Sequence, residues 1–287
     1  MYTRTVNDPS VAGKFTGRLD RSNAGGFVAR DVHSPTIIPL EERSVLLPDV
    51  GKSVSSIGRY RFDHGENSFV GAIGTSRVRD EGGWNGVFGG DLQQRFWRNY
   101  QIEAQWLASF TEEPDDASLT GSNSGAFDGG AHTIEYDGEN FWGRAGYTSF
   151  KRSGRLWNYD LNYEEPSPTF RADNGFVTQS DNRRMAFGTG LSLRTDTRWF
   201  DGFWPYVNMA RVWNFSGARK DEWLRPEITV QFKGQTEVWL SHLWSEERFK
   251  ETDLYGIRRW EAGLDTKFTE MVQGGTNVVW GKMVARG

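Results

Sequence analysis

The chain has no cysteine, only 9 prolines and 4 histidines among its 287 residues, and no marked excess of either charge: 34 Lys and Arg stand against 38 Asp and Glu. Without thiols there are no disulfides, no thiolate metal sites and no cysteine nucleophile, so the redox state of the compartment leaves no trace. A formal net charge of −4, with the two signs interleaved, argues against a nucleic-acid partner. No apolar run approaches the ~18–20 residues of a membrane-spanning helix. The first residues, MYTRTVNDPSVAGKF, lack the basic-then-apolar pattern of a secretory leader.

Signatures of chemistry are also scarce. His33, His64, His132 and His242 lie far apart, with no H-E-x-x-H and no second ligand one helical turn away. The stretch DVGKS (49–53) has Leu46 where a phosphate loop needs its first glycine. No G-x-S-x-G elbow is present, and GTGLSL (188–193) lacks the third glycine of a dinucleotide fingerprint. Catalytic residues, metals and cofactors are therefore not expected, and binding or transport is favoured over enzymatic work.

What the chain does have is unusual for so polar a composition. Hydrophobic residues are 37%, yet there are 13 Trp, 19 Phe and 9 Tyr, which disordered chains lack. Mean hydropathy is −0.64, and 34 glycines spread without a triplet period indicate many turns and thinned strands.

Period-two alternation recurs from end to end. Tyr100, Ile102, Ala104, Trp106, Ala108 and Phe110 oppose Gln101, Glu103, Gln105, Leu107 and Ser109. The same pattern runs through 13–20, 157–164, 224–233 and 260–268, and more weakly through 24–32, 55–63, 66–76, 84–95, 128–138, 140–151, 182–194, 203–215, 235–245 and 275–284. Fifteen strands result, and a sixteenth within 168–180 restores the order of loops. Many exceed the usual five or six residues and match the ~9–11 that cross a bilayer at a tilt.

Connections read as tight at 98–99, 137–140 and 233–235 and as long and polar at 111–129 and 245–259, the loop asymmetry of outer-membrane barrels. The segment 164–180 breaks the alternation. Residues 33–56 break it too, and offer two readings: an ordinary long loop, or a small plug in which Ile37, Ile38, Val45, Leu46 and Leu47 pack inside. No compositional shift divides the chain, so 1–287 is expected to be one domain.

Aromatic residues sit near the strand ends of the apolar face, as in the girdles at membrane interfaces, while the opposite face carries Gly, Gln, Asn and charges of both signs. In hydrocarbon every backbone group must be paired, which a closed antiparallel sheet achieves. The expected fold is thus an all-β, antiparallel transmembrane β-barrel of about 14–16 strands within this chain, in the bacterial outer membrane, with the lipid bilayer as its partner. The charges on the polar face, Arg18, Asp91, Arg95, Glu103, Asp160, Arg225, Glu227, Asp265 and Lys267, would set selectivity by their local field or fill the lumen by pairing. The carboxylates Glu112, Glu113, Asp115 and Asp116, and the pair Glu164 and Glu165, could serve glycoside hydrolysis or a cation. Beside Pro114 and Pro166 they read as solvated loops.

The stretch FRADNGFVTQSDNRR (170–184) resembles a family of large Gram-negative outer-membrane barrels, usually catalogued as a domain of unknown function, that often follow a family-nine-like carbohydrate-binding module. Phe170, Gly175, Phe176 and Val177, ahead of the polar turn Asp181–Arg183, carry the likeness, with GKFTGRLDRSNAGGFVAR and SSIGRYRFDHGENSFVGAIGTSRV resembling that family's paired early strands. The resemblance implies a porin- or transporter-like barrel for passage or surface handling of a small solute or glycan. Two departures are evident: the sugar-binding module is missing, and the tail ends on Arg286 and Gly287 without a terminal aromatic, so a fragment is expected. Two other readings stay open. One is a soluble carbohydrate-binding or glycosidase domain in which Trp84, Trp97, Trp142 or Trp204 stacks on sugar; the other is a membrane anchor for an absent domain.

Overall fold

The computed structural model describes residues 6–284 except 196, 250, 251 and 268. In chain order the strands are β1 (Pro9–Leu19), β2 (Ser22–Asp31), β3 (Thr36–Pro39), β4 (Ser44–Leu47), β5 (Ser53–Gly65), β6 (Ser68–Arg79), β7 (Trp84–Phe96), β8 (Tyr100–Glu112), β9 (Ala126–Phe127), β10 (His132–Thr133), β11 (Asn140–Ser153), β12 (Trp157–Pro166), β13 (Arg183–Leu191), β14 (Leu193–Arg194), β15 (Phe200–Trp213), β16 (Arg219–Phe232), β17 (Thr236–Phe249), β18 (Thr252–Lys267) and β19 (Gln273–Lys282). Two short 3-10 turns, Ala117–Thr120 and Asp128–Gly130, are the helical content among the described residues.

Fourteen strands, β1, β2, β5 to β8, β11 to β13 and β15 to β19, form one antiparallel sheet in sequence order, with β14 added beside β15. The alternation foreseen for 100–110 is realised on β8: Gln101, Glu103, Gln105, Leu107 and Ser109 share the row direction of Arg95, Gln93, Asp91, Gly89 and Val87 on β7, and Tyr100 to Phe110 take the other face. At one end of the sheet the connections are short (20–21, 66–67, 97–99, 154–156, 233–235). At the other lie the three long ones, 32–52, 113–139 and 167–182.

The long connections fold back over one face, the concave one. The segment 167–182 lies across β11, β8 and β7 as a strap: Arg171 N–H donates to Ser109 Oγ (3.3 Å), Asn85 exchanges hydrogen bonds with the Arg171 carbonyl (3.2 Å) and the Asp173 N–H (3.0 Å), and Asn174 reaches the Ser76 carbonyl (2.9 Å). It lies flush because Gly143 on β11 has no Cβ, which would strike the backbone of Thr169 and Phe170. Above it sits the β3–β4 hairpin. Ser34 meets Ser53 of β5 (Oγ···Oγ 2.7 Å) at its root, while Glu41 and Glu42 beyond its tip pair with Lys220 of β16 (3.0 and 2.9 Å). In a flat sheet β5 and β16, eight strand spacings apart, would stand ~38 Å from each other, whereas a four-residue strand is only ~14 Å long. The sheet is curled around the hairpin.

Several expectations are corrected. Among the described residues the sheet is not closed into a barrel: β1 and β19 are its two edges, unpaired with each other, and all eleven residues of β1 are exposed. No strand runs through 168–180, because its backbone turns to bond the wall; the order of loops is satisfied without it, since 167–182 joins β12 to β13 at the long-connection end. Residues 128–138 form a 3-10 turn and the two-residue β10, and 137–139 close the long 113–139 connection instead of making a hairpin turn. The long loop foreseen at 245–259 is strand on both sides, β17 and β18, around positions 250–251, which lie outside the described residues, as do Arg286 and Gly287. The hairpin within 33–56 is packed: Ile38, Val45 and Leu47 join Val50, Ile134 and Tyr136 in a buried cluster, whereas Leu46 is 61% exposed.

Candidate functional site

Cross-strand register places all nine candidate charges on the concave face. One row runs from Arg18 through Asn23, Arg61, Gly71 and Asp91 to Gln105, and another from Asp160 through Gly188 and Asn208 to Arg225. They do not converge on one point. Asp91 pairs with Arg59 (2.6 Å), Glu103 with Lys151 (3.4 Å), and Arg225 with Glu227 (3.3 Å), Glu261 (3.5 Å) and the Ser241 hydroxyl (3.1 Å). Asp160 accepts from Asn162 Nδ2 (2.8 Å), and a Cβ on Gly188 would strike first the Tyr206 hydroxyl and then the Asp160 carboxylate, so that glycine makes room for both on the concave face. Arg95 donates to the Arg98 carbonyl (3.0 Å) in the β7–β8 turn, and Asp265 and Lys267 stand at the same short-turn end of β18. Arg18, Arg59 and Arg61 line a recess of about 560 Å³. A larger recess, about 1050 Å³, holds none of the nine; Met185, Met209, Leu224 and Trp244 of the convex face line it with Arg211, Arg219 and Arg258.

The filled end of the concave face holds charges that sequence reasoning missed. Arg79 pairs with Asp173 and Arg171 with Glu113, all four side chains at most 4% exposed. Arg77 donates to Ser55 Oγ (3.1 Å) and to the Pro35 carbonyl (3.0 Å), tying the wall to the hairpin. The Arg171 guanidinium lies over the rings of Phe141 (4.9 Å) and Phe127 (5.2 Å). Burial raises the Glu113 carboxyl to about 7 against the pull of Arg171, with Glu139 and Asp137 adding to the rise. Glu113 is thus no solvated loop residue, unlike exposed Glu112, Asp115 and Asp116. The signal in the sequence was the failure of alternation at 164–180, which carries Arg171 and Asp173; the resemblance motif lies in the same strap, with Phe170 buried and Phe176 54% exposed.

Other candidates come apart. Glu164 and Glu165 are neighbours in β12, so their side chains take opposite faces and cannot flank one glycosidic bond. Trp84 and Trp142 both pack on Phe110 (5.2 and 5.0 Å) near the long-connection end of the convex face. Trp97 packs with Phe96 (5.2 Å) and Tyr100 (5.8 Å) at the short-turn end, and Trp204 lies on β15. No common sugar platform forms from these four. His33 bonds Asp49 (2.7 Å) and His132 bonds Glu139 (2.9 Å), whereas His242 is held between Trp244 and Trp260 (4.1 and 4.0 Å).

Comparison with protein-family models, with curated proteins and with solved structures finds no match to this chain.

Proposed function

We propose that the curled sheet is the wall of a porin- or transporter-like outer-membrane β-barrel, with the hairpin and strap as its plug, for passage of a small solute or glycan. The observation that carries this reading is the convex face. Phe88, Leu92, Trp106, Trp142, Leu240, Leu264 and Val278 are 37–60% exposed there, and no second sheet or helical layer covers them among the described residues. A continuous apolar face of this extent marks a protein or membrane contact.

Its dimensions suit lipid. Two aromatic clusters, Trp84–Phe110–Trp142 and Phe96–Trp97–Tyr100–Phe150, lie near opposite ends of the same strands. Tyr100 and Phe110 are ten residues apart, ~34 Å along β8 at ~3.4 Å per residue. Tilted by ~45°, that separation spans roughly 24 Å of bilayer, close to the ~25 Å apolar band between the girdles of outer-membrane barrels. Convex-face charges such as Arg144, Glu165, Arg211 and Glu222 lie toward the long-connection ends of their strands. Fourteen is an even number, so β1 and β19 run antiparallel and can join as a seam without a change of strand direction.

Leu240→Arg, in the middle of the convex face, tests the wall. In a bilayer it is expected to lower stability by about 2–4 kcal/mol, against at most about 0.5 kcal/mol on a water-facing surface. Urea unfolding from lipid vesicles measures the difference; an unchanged midpoint, with a chain monomeric in water without detergent, removes the membrane reading. Stepwise current across a planar bilayer is expected if solute passes. A membrane sealed at every voltage rejects passage and leaves the wall as an anchor.

A further inference from the structure

We infer that the recess of about 1050 Å³ on the convex face holds the phosphate headgroup of a membrane lipid and lays that lipid's chains on the wall below it, an inference that rests on the membrane reading. Two kinds of side chain meet there in a fixed order. Cross-strand register sets Phe187, Met209, Leu224 and Trp244 side by side in one row, which Arg258 of β18 continues. The next row toward the long connections, ~7 Å away at ~3.4 Å per residue, runs from Met185 through Arg211 and Glu222 to Glu246. Arg219 stands beyond it, opposite Trp213. The recess is therefore apolar toward the middle of the wall and charged toward its rim, the order in which a bilayer passes from chains to headgroups.

The backbone shapes that boundary. The β15–β16 register shifts between Val212 and Trp213 and the β17–β18 register between Ser245 and Glu247, so an irregularity lies on either side of the β16–β17 pair. Such bulges re-aim side chains and are common at barrel rims. Gly217 (φ 88°) and Gly256 (φ 70°) line the recess in left-handed conformations, and a Cβ at either would meet open space. The charges there do not balance. Glu222 accepts from Arg211 (3.0 Å) and Arg219 (3.5 Å), and Glu246 accepts from Arg219 (2.8 Å), so two carboxylates already serve two guanidiniums. Arg258 has no acidic partner among the described residues, nor has Lys282, which faces it across the β18–β19 ladder. In water a lone cation needs none. Beside hydrocarbon it is short of counter-ions, and the anions a bilayer offers at its rim are lipid phosphates, which a guanidinium holds by charge-assisted, bidentate hydrogen bonds. A free anion would use the cations and leave the apolar floor bare, whereas a lipid uses both.

The full-length chain refolded with phosphatidylcholine vesicles tests the wall and the site separately. Quenching of tryptophan by chain-brominated phosphatidylcholine is expected on insertion; an unquenched chain removes the membrane reading and this site with it. For the inserted chain, native mass spectrometry from micelles with equal amounts of phosphatidylcholine and phosphatidic acid should retain one phosphatidic acid, preferred at least about fivefold, the factor for one basic residue near a charged surface. Arg258→Gln should bring that preference close to one. Arg98→Gln, the same loss of charge on an exposed turn at the opposite end of the wall, should leave it unchanged. Equal retention of the two lipids by the parent, a preference that survives Arg258→Gln, or an equal loss in both variants overturns the site while insertion, and with it the wall, stands. Excess inorganic phosphate should not displace the lipid; displacement overturns the lipid as occupant.

Discussion

The two ends of the concave face use the same chemistry in different surroundings. At the long-connection end Arg79 and Asp173 are each 2% exposed; midway, Arg59 and Asp91 are 31% and 10% exposed; at the short-turn end Arg61 and Asp63 are 42% and 28% exposed. An ion pair out of water has large desolvation and large attraction, so losing one partner leaves an uncompensated charge, whereas the same pair in water is screened by solvent and salt. The lesson is that burial by the hairpin and strap, not the pairing itself, decides what each pair is worth.

Three substitutions sharpen that gradient. Asp173→Ala strands Arg79 under the hairpin and strap and is expected to cost about 3–5 kcal/mol. The loss should appear as faster amide exchange across 36–47 and 167–180 while the β15–β19 strands stay protected. Asp91→Asn removes the charged acceptor of Arg59 and should cost about 1.5–3 kcal/mol, the range for hydrogen bonds to charged groups, read from the urea midpoint. Asp63→Asn should cost no more than about 1 kcal/mol and lose even that at high salt. If the Asp63 and Asp173 substitutions proved equal, the distinction between a filled and an open end would fail.

Much of the wall was legible in the sequence, because a strand with lipid or solvent on one face and a polar interior on the other writes its register as period two. On β8 the foreseen faces are those in the structure. The buried ion pairs beneath the hairpin and strap were not legible, for a physical reason. Their partners lie far apart in the chain: 94 residues separate Arg79 from Asp173, and 58 separate Glu113 from Arg171. Nothing local distinguishes Glu113 from Glu112 or Asp116; its buried partner, Arg171, arrives from another connection. The misread region at 245–259 teaches the reverse. Its charges made it look like a loop, yet β17 and β18 simply extend with polar residues on both faces toward their ends. The nine concave-face charges were readable as a face, since parity alone places them, but their pairings depend on neighbours across the sheet that period two does not specify.

The salt link between Glu42 and Lys220 joins residues 178 positions apart. During synthesis, therefore, the hairpin that carries Ile38, Val45 and Leu47 emerges long before the strand that anchors its tip. Contacts of such long sequence separation form late and slowly. The tip of this greasy hairpin can therefore be anchored only once β16 has been made, and that timing is set by where one lysine lies in the chain.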